Sequence, residues 1–425
     1  MNREFKIGII GLGYVGFPLA CLFAHKYPVV GYDLNKERVE KLAAGIDENN
    51  EVNPEAHATA LANGMILTTD PEKLRGCNVY VVAVPTPIDS HHHPDMTPLE
   101  SASRTVGGVL SPGDIVIFES TVYPGATEEF CAPIIEEVSG LSLNRDFFLG
   151  YSPERINPGD KVHTVDKIVK ITSGSTPEIA DVIDGLYSSV LSNGTFKASS
   201  IKVAEAAKIM ENTQRDINIA FMNEMAMMFN AIDLDIYDVI EAASTKWNFL
   251  PFTPGLVGGH CISVDPYYLI EHSQDRGYHP RLTTEARQIN NAMAKHVVER
   301  LVHQMTMAGL KIPGARILIL GFTFKENCPD FRNTRIADIY DALLKYNANV
   351  EVYDPWAAPR EVKKHYGIDL LTHPGQLTPG EYDAVIYCVK HSQFDTIGME
   401  HLCRPGGIFL DVKGNVERSI STHRL

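Results

Sequence analysis

Cys261 and Asp265 stand four residues apart in Pro254-Gly255-Leu256-Val257-Gly258-Gly259-His260-Cys261-Ile262-Ser263-Val264-Asp265-Pro266. A single thiol paired with a carboxylate inside a glycine-rich turn is how a nucleophilic cysteine is presented. Gly258 and Gly259 allow backbone conformations closed to other residues and a close approach to a ligand, while Pro266, with φ already fixed, suits the first turn of a helix. The spacing predicts Cys261 near a helix N-terminus, where exposed N–H groups and the dipole favour the thiolate, the form that attacks carbonyl carbon. Asp265 would share its face and handle the proton. The alternative is a small buried hydrophobe, against which the glycine pair and the polar neighbours speak.

Other segments offer complementary chemistry. Gly11-Leu12-Gly13-Tyr14-Val15-Gly16 follows an apolar strand, Phe5 to Ile10, and opens the helical pattern Phe17 to His25; Asp33 lies 22 positions after Gly11, at the end of the strand Val29 to Tyr32. In that context Gly11 makes a tight turn, Gly13 admits a pyrophosphate at the helix N-terminus, and Gly16 lets helix and strand pack closely. Asp33 would bond the adenosine ribose and repel a 2′-phosphate, which selects NAD over NADP; a plain exposed strand-end acid is the alternative. Val84-Pro85-Thr86-Pro87 and Glu119-Ser120-Thr121-Val122-Tyr123-Pro124-Gly125 follow strands and are candidate site loops, or else a rigid proline turn and a helix cap at Thr121. Lys208 and Asn212, at i and i+4 of a long helix, would steady a developing oxyanion or form solvated surface. Tyr151-Ser152-Pro153-Glu154-Arg155-Ile156-Asn157-Pro158-Gly159 supplies Glu154 as a general base or as a salt-bridged loop acid. Lys325, Arg332 and Arg335 flank one loop after a strand and could clamp phosphates. His91-His92-His93 lacks ligand spacing and reads as solvated loop, so no metal site is expected.

The elements that must position these groups follow from the whole chain. Its 425 residues imply two to three domains, and a net charge of −15 argues against non-specific nucleic-acid binding. Seven scattered cysteines without C-x-x-C spacing indicate reduced thiols in a cytosolic protein. No signal peptide opens the chain and no apolar run is long enough to span a bilayer. Strands at Val79 to Val84, Ile115 to Glu119 and Phe147 to Tyr151 continue the first pattern. Helices follow at Ile201 to Leu234, Ile236 to Ala243, Pro266 to Gln274 and Arg281 to Ala308. After Lys311 to Gly314 the α/β pattern returns, with strands at Arg316 to Gly321, Val350 to Tyr353, Ala384 to Cys388 and Gly407 to Val412 and a helix at Ile336 to Tyr346. The fold class is therefore α/β: an N-terminal Rossmann-type domain (1–198), a central helical domain carrying Cys261 (199–310) and a C-terminal Rossmann-like α/β domain (311–425).

Taken in order, from about Lys6 to Val412, these motifs resemble the NAD-dependent nucleotide-sugar 6-dehydrogenases of the UDP-glucose and GDP-mannose dehydrogenase superfamily. The G-G-H-C-I-S-V-D-P-Y-Y segment and Thr245 to Phe252 are most similar to the branch acting on UDP-N-acetylhexosamines. The resemblance implies oxidation of the sugar C6 alcohol to a carboxylate in two NAD-dependent steps, through a thiohemiacetal and a thioester on Cys261. Asp265 would be the partner of Cys261, Lys208 and Asn212 the oxyanion stabilisers, and Glu154 with Thr121 would position water for hydrolysis. Cofactor contacts would come from Gly11, Gly13, Tyr14, Val15, Gly16, Asp33 and Arg38, then from Pro85, Thr86, Thr121 and Arg332. Substrate contacts would come from Glu154, Arg155, Lys208, Asn212, Phe252, Gly258 and Lys325, the last on the pyrophosphate. The resemblance further implies a UDP-sugar-binding C-terminal domain, a cytoplasmic homodimer formed through the central domain and a product used in surface polysaccharides such as capsule or O-antigen. The helix stripe Ile217, Phe221, Met225, Met228 and Phe229 suits a dimer or an internal core. Two positions depart from common family patterns: Pro158, where some members have a second glutamate, and Val264, where UDP-glucose enzymes often have lysine. UDP-glucose or GDP-mannose oxidation, single-step alcohol oxidation and a non-catalytic nucleotide-sugar-binding protein are the competing readings.

Overall fold

The structure is a computed structural model and describes residues 4–89, 91–155 and 167–425; Ile156 to Gly159 of the S-P-E loop lie outside them. The chain divides into two compact units. The first comprises residues 1–211 and 267–277, the second 212–266 and 278–425.

The first unit is built on a six-stranded parallel sheet, β1 (Ile7–Ile10), β2 (Val29–Tyr32), β3 (Ile66–Thr68), β4 (Val79–Val82), β5 (Ile115–Phe118) and β6 (Phe148–Tyr151), in the order β3-β2-β1-β4-β5-β6. Strands β1, β2, β4 and β5 are short apolar runs, largely β-branched and buried along their whole length, as a sheet covered on both faces requires. Helices Gly16–Ala24 and Pro177–Ser188 contribute to the core on one face; Thr97–Val109, Ala132–Ser139 and the start of Ile201–Asn230 contribute to the other. The order of the sheet reverses between β1 and β4, so the loops leaving these two strands lie side by side where ligands bind in such sheets. A short parallel pair, β7 (Lys170–Thr172) with β8 (Thr195–Lys197), was not expected from the sequence, because three-residue strands leave no readable period.

The second unit repeats the architecture after a set of helices. Its sheet, β9 (Arg316–Leu320), β10 (Asn349–Tyr353), β11 (Leu370–Leu371), β12 (Tyr382–Tyr387), β13 (Cys403–Asp411) and β14 (His423–Arg424), is also parallel, in the order β11-β10-β9-β12-β13-β14. Met293, Val297 and Leu301 of helix Arg281–Met307 share its core with Ile317 and Ile319 of β9 and Ile336, Ile339 and Leu343 of helix Ile336–Lys345. Arg287 and Asn290 meet Asp216 of the long helix Ile201–Asn230 in a buried polar network, and Asn290 passes the contact to Asn223. Asn223 then grips the backbone of Gly255 both ways, donating to its carbonyl at 3.0 Å and accepting its amide at 2.7 Å. In the apolar stripe of the long helix, Met225 and Phe229 pack against Ile236 and Ile240 of their own chain, while Phe221 and Met228 are exposed. Among the described residues no helix is long and apolar enough to cross a membrane.

Two features of the first unit have measurable consequences. A Cβ added at Gly16 would stand 1.8 Å from the Gly11 carbonyl oxygen, whereas one at Gly13 would meet nothing within 4 Å. Gly16→Ala is therefore expected to lower stability by about 2–3 kcal/mol and Gly13→Ala by less than about 0.5 kcal/mol in urea unfolding; equal losses would contradict the packing described. Glu205, buried on the long helix, accepts the amides of Gly125 and Thr127, and burial pushes it up to about 7 against the pull of those bonds. The folded chain thus holds this proton more tightly than the unfolded one. The stabilisation is complete below pH 4.5, the ordinary value, and is lost as pH rises through about 7. Glu205→Gln should flatten that part of the stability profile, worth on the order of 2 kcal/mol between pH 5 and 8, and an unchanged slope would refute the assignment.

Candidate functional site

In the first unit the glycine turn is assembled around its own unsatisfied backbone groups. Gly11 takes φ +93°, and the Leu12 amide it exposes donates to Asp33 Oδ2 at 2.7 Å. Asp33 Oδ1 accepts the Asn35 amide, and Arg38 completes the brace: its Nε donates to the Leu12 carbonyl at 3.0 Å while its guanidinium pairs with Asp47. Tyr14 and Val15 lead into the helix, which has no acidic side chain in its first turn. The open space at Gly13, with helix amides behind it, fits the pyrophosphate of a dinucleotide, and Asp33 stands at the ribose end of such a cradle. Ser120 donates to the Val84 carbonyl at 2.6 Å, which ties the loop carrying Thr121 to the loop carrying Pro85 and Thr86.

Below that loop lies a buried charge cluster that sequence reading missed. Lys170 Nζ is 2.6 Å from Glu119 Oε2 and 3.4 Å from Glu154 Oε2, and Tyr187 donates its hydroxyl to Glu119 Oε1. Burial pushes Glu119 up, opposed by Lys170, and raises Tyr187 further. Burial would lower Lys170, but the two carboxylates outweigh it, so it remains an ammonium. Arg155 donates to Glu211 and to the Val169 carbonyl. Lys208 is 8 % exposed, which excludes the reading of it as solvated surface. The histidine triplet is exposed but docked: His92 stacks on Tyr267 at 4.6 Å, and His93 bonds Glu271, which holds it above its ordinary value. Tyr268 donates to the Pro87 carbonyl, so the loop after β4 is pinned to the Tyr267–Gly277 segment at Pro87, His92 and His93.

In the second unit the cysteine turn ends where helix Asp265–Asp275 begins, as the sequence predicts, and the Cys261 carbonyl accepts the Asp265 amide at 2.7 Å. Asn212 donates its side-chain amide to Asp265 Oδ2. The half-buried Cys261 thus stands in the turn before a helix whose first carboxylate is oriented by an amide of the long helix. The turn is seated on the loop after β9. A Cβ at Gly258 would be 2.8 Å from the Asn333 carbonyl, and one at Gly259, where φ is +85°, would be 2.9 Å from the Phe324 ring. Asn333 donates to the Gly259 carbonyl at 3.1 Å. That packing brings the cysteine turn onto the loop that bears Lys325 and Arg332. Burial pushes Asp330 up, but the Arg332 guanidinium outweighs it and holds the carboxyl below its ordinary range; His260 Nδ1 lies 3.5 Å away on the same carboxylate. Phe252 is half-buried beside the cluster of Met222 and Ile240.

Chemically, the second unit offers a thiol with an amide-oriented carboxylate, and the first offers a dinucleotide cradle with a buried ammonium holding two carboxylates. Lys170, Tyr187 and Asn223 were not identified from sequence, and Glu119 only as the first residue of a candidate loop. The readable signal for Lys170 is a charge between the apolar neighbours Val169 and Ile171; for Tyr187 there is none. Among the described residues no cluster of three or more His, Cys, Asp or Glu side chains is arranged to hold a metal ion.

Comparison with known proteins bears on the whole chain. Residues 5–191, 202–292 and 318–418 match the NAD binding domain, the central domain and the UDP binding domain of the UDP-glucose/GDP-mannose dehydrogenase family. The chain is 51 % identical to UDP-N-acetyl-D-glucosamine 6-dehydrogenase of Pseudomonas aeruginosa, covering all of both chains. It is 52 % identical to the enzyme of that name from Salmonella typhi over 94 % of this chain and 93 % of the relative. The structure of the UDP-D-ManNAc dehydrogenase from Pyrococcus horikoshii superposes with a TM-score of 0.88 at 30 % identity, covering 99 % of this chain and 98 % of the other. The cradle, the cysteine turn and these likenesses agree: the chain belongs to the UDP-glucose/GDP-mannose dehydrogenase family and is an NAD-dependent nucleotide-sugar dehydrogenase.

Proposed function

We propose that the protein oxidises the C6 alcohol of UDP-N-acetylglucosamine to the carboxylate, through a thioester on Cys261. The observation that carries this reading is the cysteine turn itself, in which Asn212 orients Asp265 on the first turn of the helix that follows Cys261. The names of two relatives that match along nearly their whole length supply the sugar. Gly11, Gly13 and Gly16 would hold NAD at their turn, and the bound cofactor would supply the hydride acceptor for each oxidation.

The chain's own residues do the rest. Asp265 takes the proton that frees the Cys261 sulfur to add to the C6 aldehyde, and covalent capture keeps that aldehyde in place between the two oxidations. Lys208 and Asn212, one turn apart on their helix, steady the oxyanion at C6. Glu154 with Thr121 orients the water that hydrolyses the thioester. Lys325 and Phe252, with Gly258 and Arg155, are assigned to the UDP-sugar, and Arg38, Pro85, Thr86 and Arg332 to the cofactor. The exposed Phe221 and Met228 support a homodimer through the long helix. The seven cysteines are all free thiols, which supports a cytoplasmic location, and the uronic acid product suits surface polysaccharide synthesis.

Two measurements test this. Cys261→Ser should still bind NAD and UDP-sugar by calorimetry while uronic acid formation falls by roughly 1000-fold or more; the wild-type enzyme should release two NADH per UDP-sugar consumed, and one NADH with an aldehyde as product would leave only a simple alcohol oxidation. Assayed by NADH formation, kcat/KM should be highest for UDP-N-acetylglucosamine among a panel with its galacto epimer, UDP-glucose and GDP-mannose. Preference for a sugar without the acetamido group would remove the substrate assignment and leave the reaction class standing.

A further inference from the structure

Lys170 occupies a three-residue strand and its side chain is 4 % exposed. A buried ammonium persists only where acceptors take its protons. Glu119 Oε2 is at 2.6 Å, the Pro153 carbonyl at 3.2 Å and Glu154 Oε2 at 3.4 Å. Pro153 and Glu154 are adjacent, so one cation holds both the backbone and the side chain of the S-P-E turn. The cation is itself fixed from behind, because Glu119 is wholly buried and its second oxygen accepts from Tyr187. Glu154 is the most open of the three charged side chains, at 11 % exposure, and its other oxygen accepts the Arg155 amide at 2.6 Å. Both oxygens of this carboxylate are thereby set by donors from within the fold.

We infer that Lys170 is a positioning residue for thioester hydrolysis, acting through Glu154, with Glu119 and Tyr187 anchoring it; this rests on the reading of Glu154 as the group that activates water. In that step water oxygen bonds to the C6 acyl carbon while one of its protons passes to Glu154. The carbonyl then re-forms and the C–S bond breaks, its electron pair leaving on Cys261 sulfur. Lys170 gains and loses no proton, and its bond is to Glu154 and not to the substrate. Its contribution is the orientation of the carboxylate, and a shift of about 1 Å in such a group lowers rate on the order of 100-fold.

The test uses the full-length enzyme with NAD and UDP-N-acetylglucosamine. Lys170→Met combined with Glu119→Gln removes a cation and an anion together; Lys170→Arg keeps the charge but moves the donors. In the double variant, kcat is expected to fall on the order of 100-fold with KM little changed. A rapid burst of two NADH per site should precede slow turnover, and intact-protein mass spectrometry should show the sugar acyl on Cys261. Lys170→Arg should show the same accumulation with a smaller loss, which keeps the test decisive if the double variant does not fold. Burst and steady-state rates falling together, or wild-type kinetics in Lys170→Arg, overturn the proposal. Glu154→Gln separates the two ideas. If it accumulates no acyl-enzyme, the reading of Glu154 fails and takes the role of Lys170 with it; if it does accumulate and the Lys170 variants do not, the role of Lys170 alone fails.

Discussion

A chain leaving the first strand of a parallel sheet must turn sharply, and the amides it exposes in doing so need an acceptor. Both sheets of this protein meet that constraint in the same way. Gly11, at φ +93°, is followed by an amide bonded to Asp33, and Gly321, at φ +91°, is followed by the amides of Phe322 and Thr323 bonded to Asp354. Each aspartate stands just after the second strand of its sheet, so one carboxylate fixes the turn on which the rest of that end of the sheet is arranged. The two turns then diverge. Past Gly11 the backbone at Gly13 faces open space, while past Gly321 Phe322 and Thr323 are fully buried and His391 bonds the same Asp354 oxygen that accepts their amides. The same sheet order therefore yields an open cradle in one unit and a closed, packed turn in the other.

Buried charge has a second organising role. Lys170 with Glu119, and Arg287 with Asp216, lie where desolvation is severe, and each is kept by further hydrogen bonds that leave its geometry little choice. Each network ends on a stretch without regular structure: the first on the S-P-E turn, the second through Asn290 and Asn223 on Gly255 at the start of the cysteine turn. Irregular segments have no ladder of their own to define them. Here their conformation is borrowed from side chains on helices and strands, which is how a loop can carry a group whose orientation matters.

Much of this was readable from residues. Strand β2 and helix Ile236–Ala243 have the limits expected, and the helix after Cys261 begins within one residue of its expected start, because apolar runs and a proline at the first turn are local signals. The partners of those residues were not readable. Gly258 and Gly259 were expected to let a ligand approach, and their missing Cβ atoms make room for Asn333 and Phe324, some seventy residues away in sequence. Lys208 and Asn212 carry the same letters whether a helix face is solvated or packed, and only burial decides between the two. The histidine triplet was read as solvent-facing because its partners, Tyr267 and Glu271, lie far along the chain. Lys170 escaped notice for the same reason: a lysine acquires meaning from two glutamates that only the fold brings to it.

The long helix Ile201–Asn230 carries Glu205, Lys208, Asn212, Asp216 and Asn223, each buried or half-buried. A residue inserted among them would turn every later group by about 100° and slide it by about 1.5 Å, since a helix has no slack in which to absorb the change. Substitutions on its outward positions alter one contact at a time, but a change of length alters all of those beyond it together. The outward positions between Glu205 and Asn223 are thus free to drift in composition while the stretch is fixed in length, so that in descendants of this chain the ungapped span should persist together with those five residues.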